Sequence, residues 1–193
     1  VTEAFSGFRY LNGYPEDVPV RPNLSLGDSV AGVHAALGIL LALLARNNNA
    51  QGQIIDVALY EAMFNLMEGV VPEYDGAGAI REPAGSTLTG IVPTNTYLCR
   101  DGKHVVIGGN GDSIYVRLMT AIGRADLAND PALGSNAGRV QQQQLIDAAI
   151  GGWTSAHSST EVIAILEAVE VPVGPIYSIE DAFNDPHYQA RGM

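Results

Sequence analysis

Leu26-Gly27-Asp28-Ser29-Val30-Ala31-Gly32-Val33-His34 leads without interruption into Ala-Ala-Leu-Gly-Ile-Leu-Leu-Ala-Leu-Leu-Ala, which ends at Arg46. Val33, Leu37, Leu40, Leu41 and Leu44 recur at helical spacing and define a broad apolar face, so residues 28–46 are predicted to form an α-helix. Asp28 then stands at the helix N-terminus among small residues. Unpaired backbone N–H groups and the positive end of the helix dipole favour an anion there. Two roles fit such a carboxylate. Asp is a preferred helix cap, and on the local pattern alone capping is the commoner of the two. The same position can keep a carboxylate ionised and open to a ligand, as a nucleophile requires.

Outward from this helix the pattern reads as an α/β fold. Asn47-Asn48-Asn49-Ala50-Gln51-Gly52 is a turn, and residues 53–59 have strand length and β-branched content. A second helix is predicted over 61–71, with Met63, Leu66, Met67 and Val70 at helical spacing. Helix, strand and helix in that order suggest part of a Rossmann-like layer. Residues 1–27 carry Gly7, Gly13, Pro15, Pro19 and Pro22, which argue for irregular structure. The chain is expected to divide into 1–72, part of a large catalytic domain; 73–92, a linker or flexible loop; and 93–193, a small α+β domain. In the last, strands at 94–99 and 104–108 flank the hairpin turn Arg100-Asp101-Gly102-Lys103. Helices are predicted at 112–122, 138–153 and 160–169, with a short pair around Asp185-Pro186. Gln141–Gln144 lies inside a helical pattern and reads as a solvated face.

Charge and composition exclude several partners. The 193 residues include 21 Asp plus Glu against 10 Lys plus Arg, a formal charge of −11. Lys103 is the one lysine. Nucleic acid and anionic membranes need clustered cations, so neither is expected as a partner. Residues 35–45 are too short for a bilayer span of about 20 residues. They also lie too far along the chain, without a basic flank, to be a signal peptide. They read as a helix buried in a core or a subunit interface. The single cysteine, Cys99, cannot form an internal disulfide and reads as a small buried hydrophobe in a strand. A reducing cytoplasm suits that usage.

The histidines at 34, 104, 157 and 187 have no Cys or His partner at ligand spacing, and no metal site is predicted. No G-x-S-x-G elbow marks a hydrolase. His34 lies about 120° around the helix from Asp28 and is not expected to pair with it; packing or a hydrogen bond is its plainer role. Gly85-Ser-Thr-Leu-Thr-Gly90 begins like a P-loop, but Ile91-Val92 replaces the Lys-Ser/Thr that completes one. Gly108-Gly109-Asn110-Gly111 follows a strand and precedes a helix, yet lacks the third glycine of a dinucleotide fingerprint. Asp112 or Ser113 is then the natural cap of the next helix. A mobile glycine loop at 85–90 closing over a reactive centre is the remaining functional reading.

Taken in order, these pieces resemble one family. Ser6-Gly7, Gly13, Gly27-Asp28-Ser29-x-x-Gly32-x-His34, the Ala/Leu helix to Arg46, Gly52-Gln53-x-x-Asp56-Val57-x-Leu59 and Glu61-Ala62 are similar to the class III CoA-transferases, the carnitine-dehydratase and bile-acid-inducible group that includes formyl-CoA transferase. Pro93-Thr94-x-x-Tyr97-x-x-x-Asp101-Gly102-Lys103-x-Val105 continues the resemblance. So do Val171-Pro172-x-Gly174-Pro175-Ile176 and Asp185-Pro186-His187-Tyr188.

The resemblance implies a specific chemistry. Asp28 would be the catalytic nucleophile, attacking an acyl-CoA carbonyl to give an anhydride and then an aspartyl-CoA thioester, from which an incoming acid takes CoA. Backbone N–H groups at the helix start would stabilise the oxyanions. Gly27, His34, Leu59, Gly85 and Gly90 would contact substrate. No bound cofactor is implied; the CoA thioester is a substrate, and a small carboxylic acid is the other partner. Family members are interlinked homodimers, which places helix 30–45 at an interface. They are also longer than this chain, and much of their CoA-binding surface precedes the Asp. The chain, opening at Val1, is therefore expected to be a fragment, inactive alone. The alternatives are a 2-methylacyl-CoA racemase of the same superfamily, with Asp28 as acid/base, and a non-catalytic dimerisation fragment.

Overall fold

Residues 28–46 do form a helix, and it extends beyond the predicted bounds at both ends. In the computed structural model, which describes residues 1–193, it runs Leu26–Asn49. The chain divides into two compact units, Val1–Gly85 and Ser86–Met193, and the division falls inside the glycine-rich stretch 73–92.

The first unit is helical. Helices α1 (Thr2–Phe5) and α2 (Phe8–Leu11) precede α3 (Leu26–Asn49), α4 (Leu59–Phe64), a 3₁₀ turn at Asn65–Met67 and α5 (Val70–Ala77). Residues 1–27 thus hold two single-turn helices where irregular chain was expected; four residues are too few to display an apolar period. The core of this unit is small. Ala31, Ala62, Met63 and Met67 are its buried apolar residues. On α3 only Gly27 and Ala31 are buried, while Leu37, Leu40, Leu41 and Leu44 are each more than half exposed. The expectation of a helix covered on most sides does not hold within this chain. Nor does its shortness: at 24 residues α3 is long and apolar enough, by length and composition, to cross a membrane.

The strand predicted over 53–59 does not form, and Leu59 already begins α4. A strand exists only where a second backbone completes its hydrogen bonds. The three strands of the protein all lie in the second unit, so this segment has none to pair with. It packs instead on α3, where Ile55 sits so close to Gly38 that an added Cβ would meet its Cγ2 at 2.9 Å.

The second unit is a three-stranded antiparallel sheet carrying helices. Strands β1 (Thr94–Leu98) and β2 (His104–Gly108) form the expected hairpin, with Tyr97 opposite Val105. A third strand, β3 (Val173–Pro175), adds to the far side of β2 with Val106 opposite Gly174. Helices α6 (Asp112–Ala121), α7 (Ala125–Ala128), α8 (Asn136–Gln141), α9 (Gln143–Thr154) and α10 (Ser159–Ala168) lie between β2 and β3, with a 3₁₀ turn at Pro131–Leu133. The chain ends with α11 (Ile179–Asn184) and α12 (Pro186–Arg191). The single helix predicted over 138–153 is broken at Gln142, inside the glutamine run.

Alternation along β2 buries Val105 and Ile107 and turns His104 and Val106 outward. The inward residues meet Leu118, Met119, Ile146, Ile150, Val162 and Leu166 from the helices, a single core. Cys99 is buried just after β1, and its thiol is pushed up by that burial and by Asp101. The hairpin turn is locked to α10: Asp101 accepts from the Ser159 N–H at 3.0 Å and hydroxyl at 2.8 Å.

Arg139 is the unexpected member of this core. Its guanidinium is fully buried and donates to the carbonyls of Val92 (3.0 Å), Leu133 (3.0 Å) and Asn110 (2.7 Å) and to the Asp112 carboxylate (2.8 Å). It also lies 4.9 Å from the centre of the Tyr115 ring. Buried charge of this kind is tolerated only when its donors are used. Asp112 is accordingly the first residue of α6 and binds Arg139; the cap position belongs to Gly111. The glycine cluster beside it is packing chemistry. A Cβ on Gly109 would stand 2.6 Å from Leu118 and 3.0 Å from Pro93.

Candidate functional site

Three Ser-x-x-acid sequences precede helices in this protein, and one of them behaves differently. Ser158 accepts from the Glu161 N–H at 3.3 Å while Glu161 accepts from the Ser158 N–H at 2.7 Å. Ser178 and Asp181 do the same at 3.2 and 2.8 Å. Both are complete capping boxes. Glu161 is held below the usual carboxylate range by the Ser158 N–H and hydroxyl, and Asp181 by the Ser178 hydroxyl and N–H. Ser25 and Asp28 have the same spacing, with Ser25 at the cap position and Asp28 in the first turn of α3, but no side-chain cap bond forms. Asp28 is therefore not the cap, contrary to the sequence expectation, because the helix begins two residues before it.

Asp28 is exposed and lines a cavity of about 200 Å³ with Val1, Glu3, Arg9, Arg21, Ser25 and Gly27. Gly27 is buried, with Thr2 3.4 Å and Met63 3.6 Å from where its Cβ would be. Glu3 is buried and ties the two arginines together, at 3.3 Å from Arg9 Nη2 and 3.8 Å from Arg21 Nε. Arg21 also donates to the carbonyls of Pro22 (3.2 Å) and Leu24 (2.7 Å). It thus fixes the chain that enters α3. The first intrahelical bond runs from the Ser29 N–H to the Ser25 carbonyl at 3.1 Å. The N–H groups of Gly27 and Asp28 consequently have no acceptor within the helix. An exposed carboxylate, open N–H donors and two guanidinium groups meet in one small cavity. Such a set can present a nucleophile and stabilise an anion formed next to it.

The other residues named from the sequence lie elsewhere. His34 is bonded on both sides, its Nδ1 2.9 Å from the Val30 carbonyl and its Nε2 3.4 Å from the Asn65 amide nitrogen. It lines a second cavity of about 430 Å³ with Gly38, Ile55, Asp56, Glu61 and Asn65. The hydrogen-bonding role expected for it is what the structure has. Leu59 is the partly exposed first residue of α4. Gly85 has φ +64° and donates its N–H to the Gly13 carbonyl at 2.9 Å. Gly90 has φ +80° and accepts from the Asn136 side chain at 2.8 Å. No group of three or more His, Cys, Asp or Glu residues is arranged to hold a metal ion. Sequence reasoning missed Glu3, Arg9 and Arg21, which look like scattered charges in a loop. The Ser25-x-x-Asp28 spacing is the signal that would have moved the predicted helix start from Asp28 to Leu26.

A sequence model of CoA-transferase family III matches residues 1–193. The succinyl-CoA–D-citramalate CoA-transferase of Chloroflexus aurantiacus is 39% identical over 191 residues, spanning 99% of this chain and 48% of that protein. The succinyl-CoA–L-malate CoA-transferase alpha subunit of the same organism is 37% identical over 193 residues, covering 100% of this chain and 45% of its own. Among solved structures, a CaiB/BaiF family protein from Brucella suis superposes with a TM-score of 0.82 at 28% identity, over 100% of this chain and 50% of that one. The chain thus spans about half the length of the relatives it matches.

Proposed function

The chain belongs to CoA-transferase family III, and from that premise we propose that the whole protein moves CoA between carboxylic acids, with Asp28 as the covalent nucleophile. The observation that carries this reading is the open Ser25–Asp28 pair: an acid at a capping-box position, exposed and unbonded, in a cavity with two arginines. The Asp28 carboxylate attacks the thioester carbonyl of the donor and expels CoA thiolate, forming a mixed anhydride. The thiolate attacks the Asp28 carbonyl of that anhydride, frees the donor acid and leaves a CoA thioester on Asp28. The acceptor carboxylate attacks this thioester and again expels the thiolate. The thiolate then attacks the acceptor carbonyl of the second anhydride, giving the new acyl-CoA and free Asp28. No net proton is consumed. The N–H groups of Gly27 and Asp28, left without helix acceptors, are the donors this reading assigns to the oxyanion that forms on Asp28.

Relatives named for succinyl-CoA with citramalate or malate support a succinyl donor and a small dicarboxylic acceptor. The uncovered leucine face of α3 supports assembly as a homodimer, with that face as the contact. Relatives named as CoA-transferases rather than racemases favour transfer over racemisation of an acyl-CoA.

The test is transfer from succinyl-CoA to L-malate or D-citramalate, followed by mass spectrometry of the CoA esters. The wild type forms the new ester, and Asp28→Asn forms none while keeping its fold. Solvent exchange of the substrate α-proton without any acceptor acid would contradict the reading.

A further inference from the structure

The Arg9 guanidinium is left with donors to spare. Arginine carries five N–H donors and needs acceptors for them wherever it is buried. Arg9 makes one hydrogen bond, from Nη2 to Glu3, and its Nε is buried with no partner at all. The side chain as a whole is 32% exposed, and its Nη1 has no protein partner, so a ligand carboxylate can reach the guanidinium there. Arg9 lines the cavity of Asp28.

We infer that Arg9 binds the non-reacting carboxylate of a small dicarboxylic acid in the cavity of Asp28, and that this site selects dicarboxylic over monocarboxylic acids. The inference rests on the transferase reading for the identity of the reacting group. A planar guanidinium holds both oxygens of a carboxylate at once. A carboxylate so held has its lone pairs engaged and is a poor nucleophile, so the one on Arg9 is the spectator. The other end of the same acid is left free to attack at Asp28.

The charges in the cavity give this binding an order. Among the side chains of the cavity, Arg9 and Arg21 are balanced by Glu3 and Asp28 while Asp28 is free. Once Asp28 carries an acyl group or CoA it is neutral, and the side chains of the cavity carry one unbalanced positive charge. The acceptor anion is therefore favoured at the stage at which it is needed, and repelled by the free carboxylate before it. Arg21, with Nε and Nη2 already on backbone carbonyls, is the less available of the two arginines.

The test is an NMR titration of the protein with succinate and with butyrate, following arginine Nε–H signals. Succinate shifts the Arg9 Nε–H and butyrate does not. Asp28→Asn, which makes position 28 neutral without acylation, binds succinate more tightly than the wild type. Arg9→Gln weakens succinate by about tenfold or more, the loss of a charge-assisted bond pair. Equal binding of the two acids, or weaker succinate binding in Asp28→Asn, overturns the inference. Should Arg9→Gln fail to fold, the wild-type and Asp28→Asn titrations still decide it. Transferase activity is not needed for any of these readouts. Loss of the Asp28 chemistry with these shifts intact would sink the transferase reading alone, and absence of the shifts with transfer intact would sink this one alone.

Discussion

Ser25 and Asp28 occupy the two positions of a capping box and make neither of its hydrogen bonds, whereas Ser158 and Glu161 make both. An N-terminal acid normally gains from closing the box, because its oxygen satisfies an open N–H. At α3 that gain is forgone, and the carboxylate remains exposed to its cavity. Ser25→Ala is expected to change stability by no more than about 0.5 kcal/mol, the range of an unpartnered surface side chain. Ser158→Ala, which removes a working cap, is expected to cost about 1 kcal/mol. Urea unfolding of the two variants checks this, and equal losses would mean that the Ser25 box closes in solution.

Arg139 ties the Val92, Leu133 and Asn110 carbonyls to one buried point. Arg139→Met keeps much of the volume and leaves those acceptors without a donor. The expected cost is about 3 kcal/mol, one to a few kcal/mol per buried orphaned group. Arg139→Lys supplies one point donor where a fork is needed and should fall between. Denaturant midpoints of the three proteins give the ranking.

Asp101 is held below the usual carboxylate range chiefly by the Ser159 hydroxyl, and Asp126 is held at about 2 by Arg124. A folded-state value depressed below the unfolded value of about 3.9 contributes stability that is present above that value and lost as pH falls through the folded one. The second unit should therefore lose stability as pH drops from about 4 towards 2. Ser159→Ala should move the Asp101 midpoint up towards its ordinary value. Carboxyl-carbon NMR titration reads that midpoint, and an unchanged value would contradict the assignment.

Gly85 and Gly90 bracket the segment read from sequence as a mobile loop, and their surroundings differ. Both have positive φ. A Cβ on Gly85 would also stand 2.6 Å from the Tyr14 ring, while nothing lies within 4 Å of one on Gly90. Gly90→Ala should cost about 1–2 kcal/mol for its left-handed backbone alone. Gly85→Ala carries that strain plus a clash and should cost more, as compared by thermal unfolding.

If the leucine face of α3 is a subunit contact, charge on it will split the assembly. Leu40→Glu with Leu44→Glu should lower the sedimentation mass from dimer to monomer. An unchanged dimer would place the contact elsewhere.

Much of the architecture was readable from residue spacing. The apolar period of α3, the Asp-Gly turn between β1 and β2, and the Asp185-Pro186 junction between α11 and α12 are local signals, and each held. What was lost depended on partners. Residues 53–59 have strand chemistry, yet strand formation requires a second backbone, and no spacing rule supplies one. β3 is three residues long and exists only because β2 has a free edge. Arg139 sits in an ordinary helical pattern, and nothing local tells a buried arginine from a solvated one. The site divides the same way. Asp28 stood out through its own helix, while Glu3, Arg9 and Arg21 become a cavity only once the first 25 residues fold over the start of α3.

As the covalent nucleophile, Asp28 becomes acylated during turnover. Incubation of the whole protein with succinyl-CoA and hydroxylamine, followed by peptide mass spectrometry, tests it most directly. A hydroxamate on Asp28, absent without the thioester and absent in Asp28→Asn, is expected. CoA transfer proceeding in the same sample with Asp28 unmodified would contradict it.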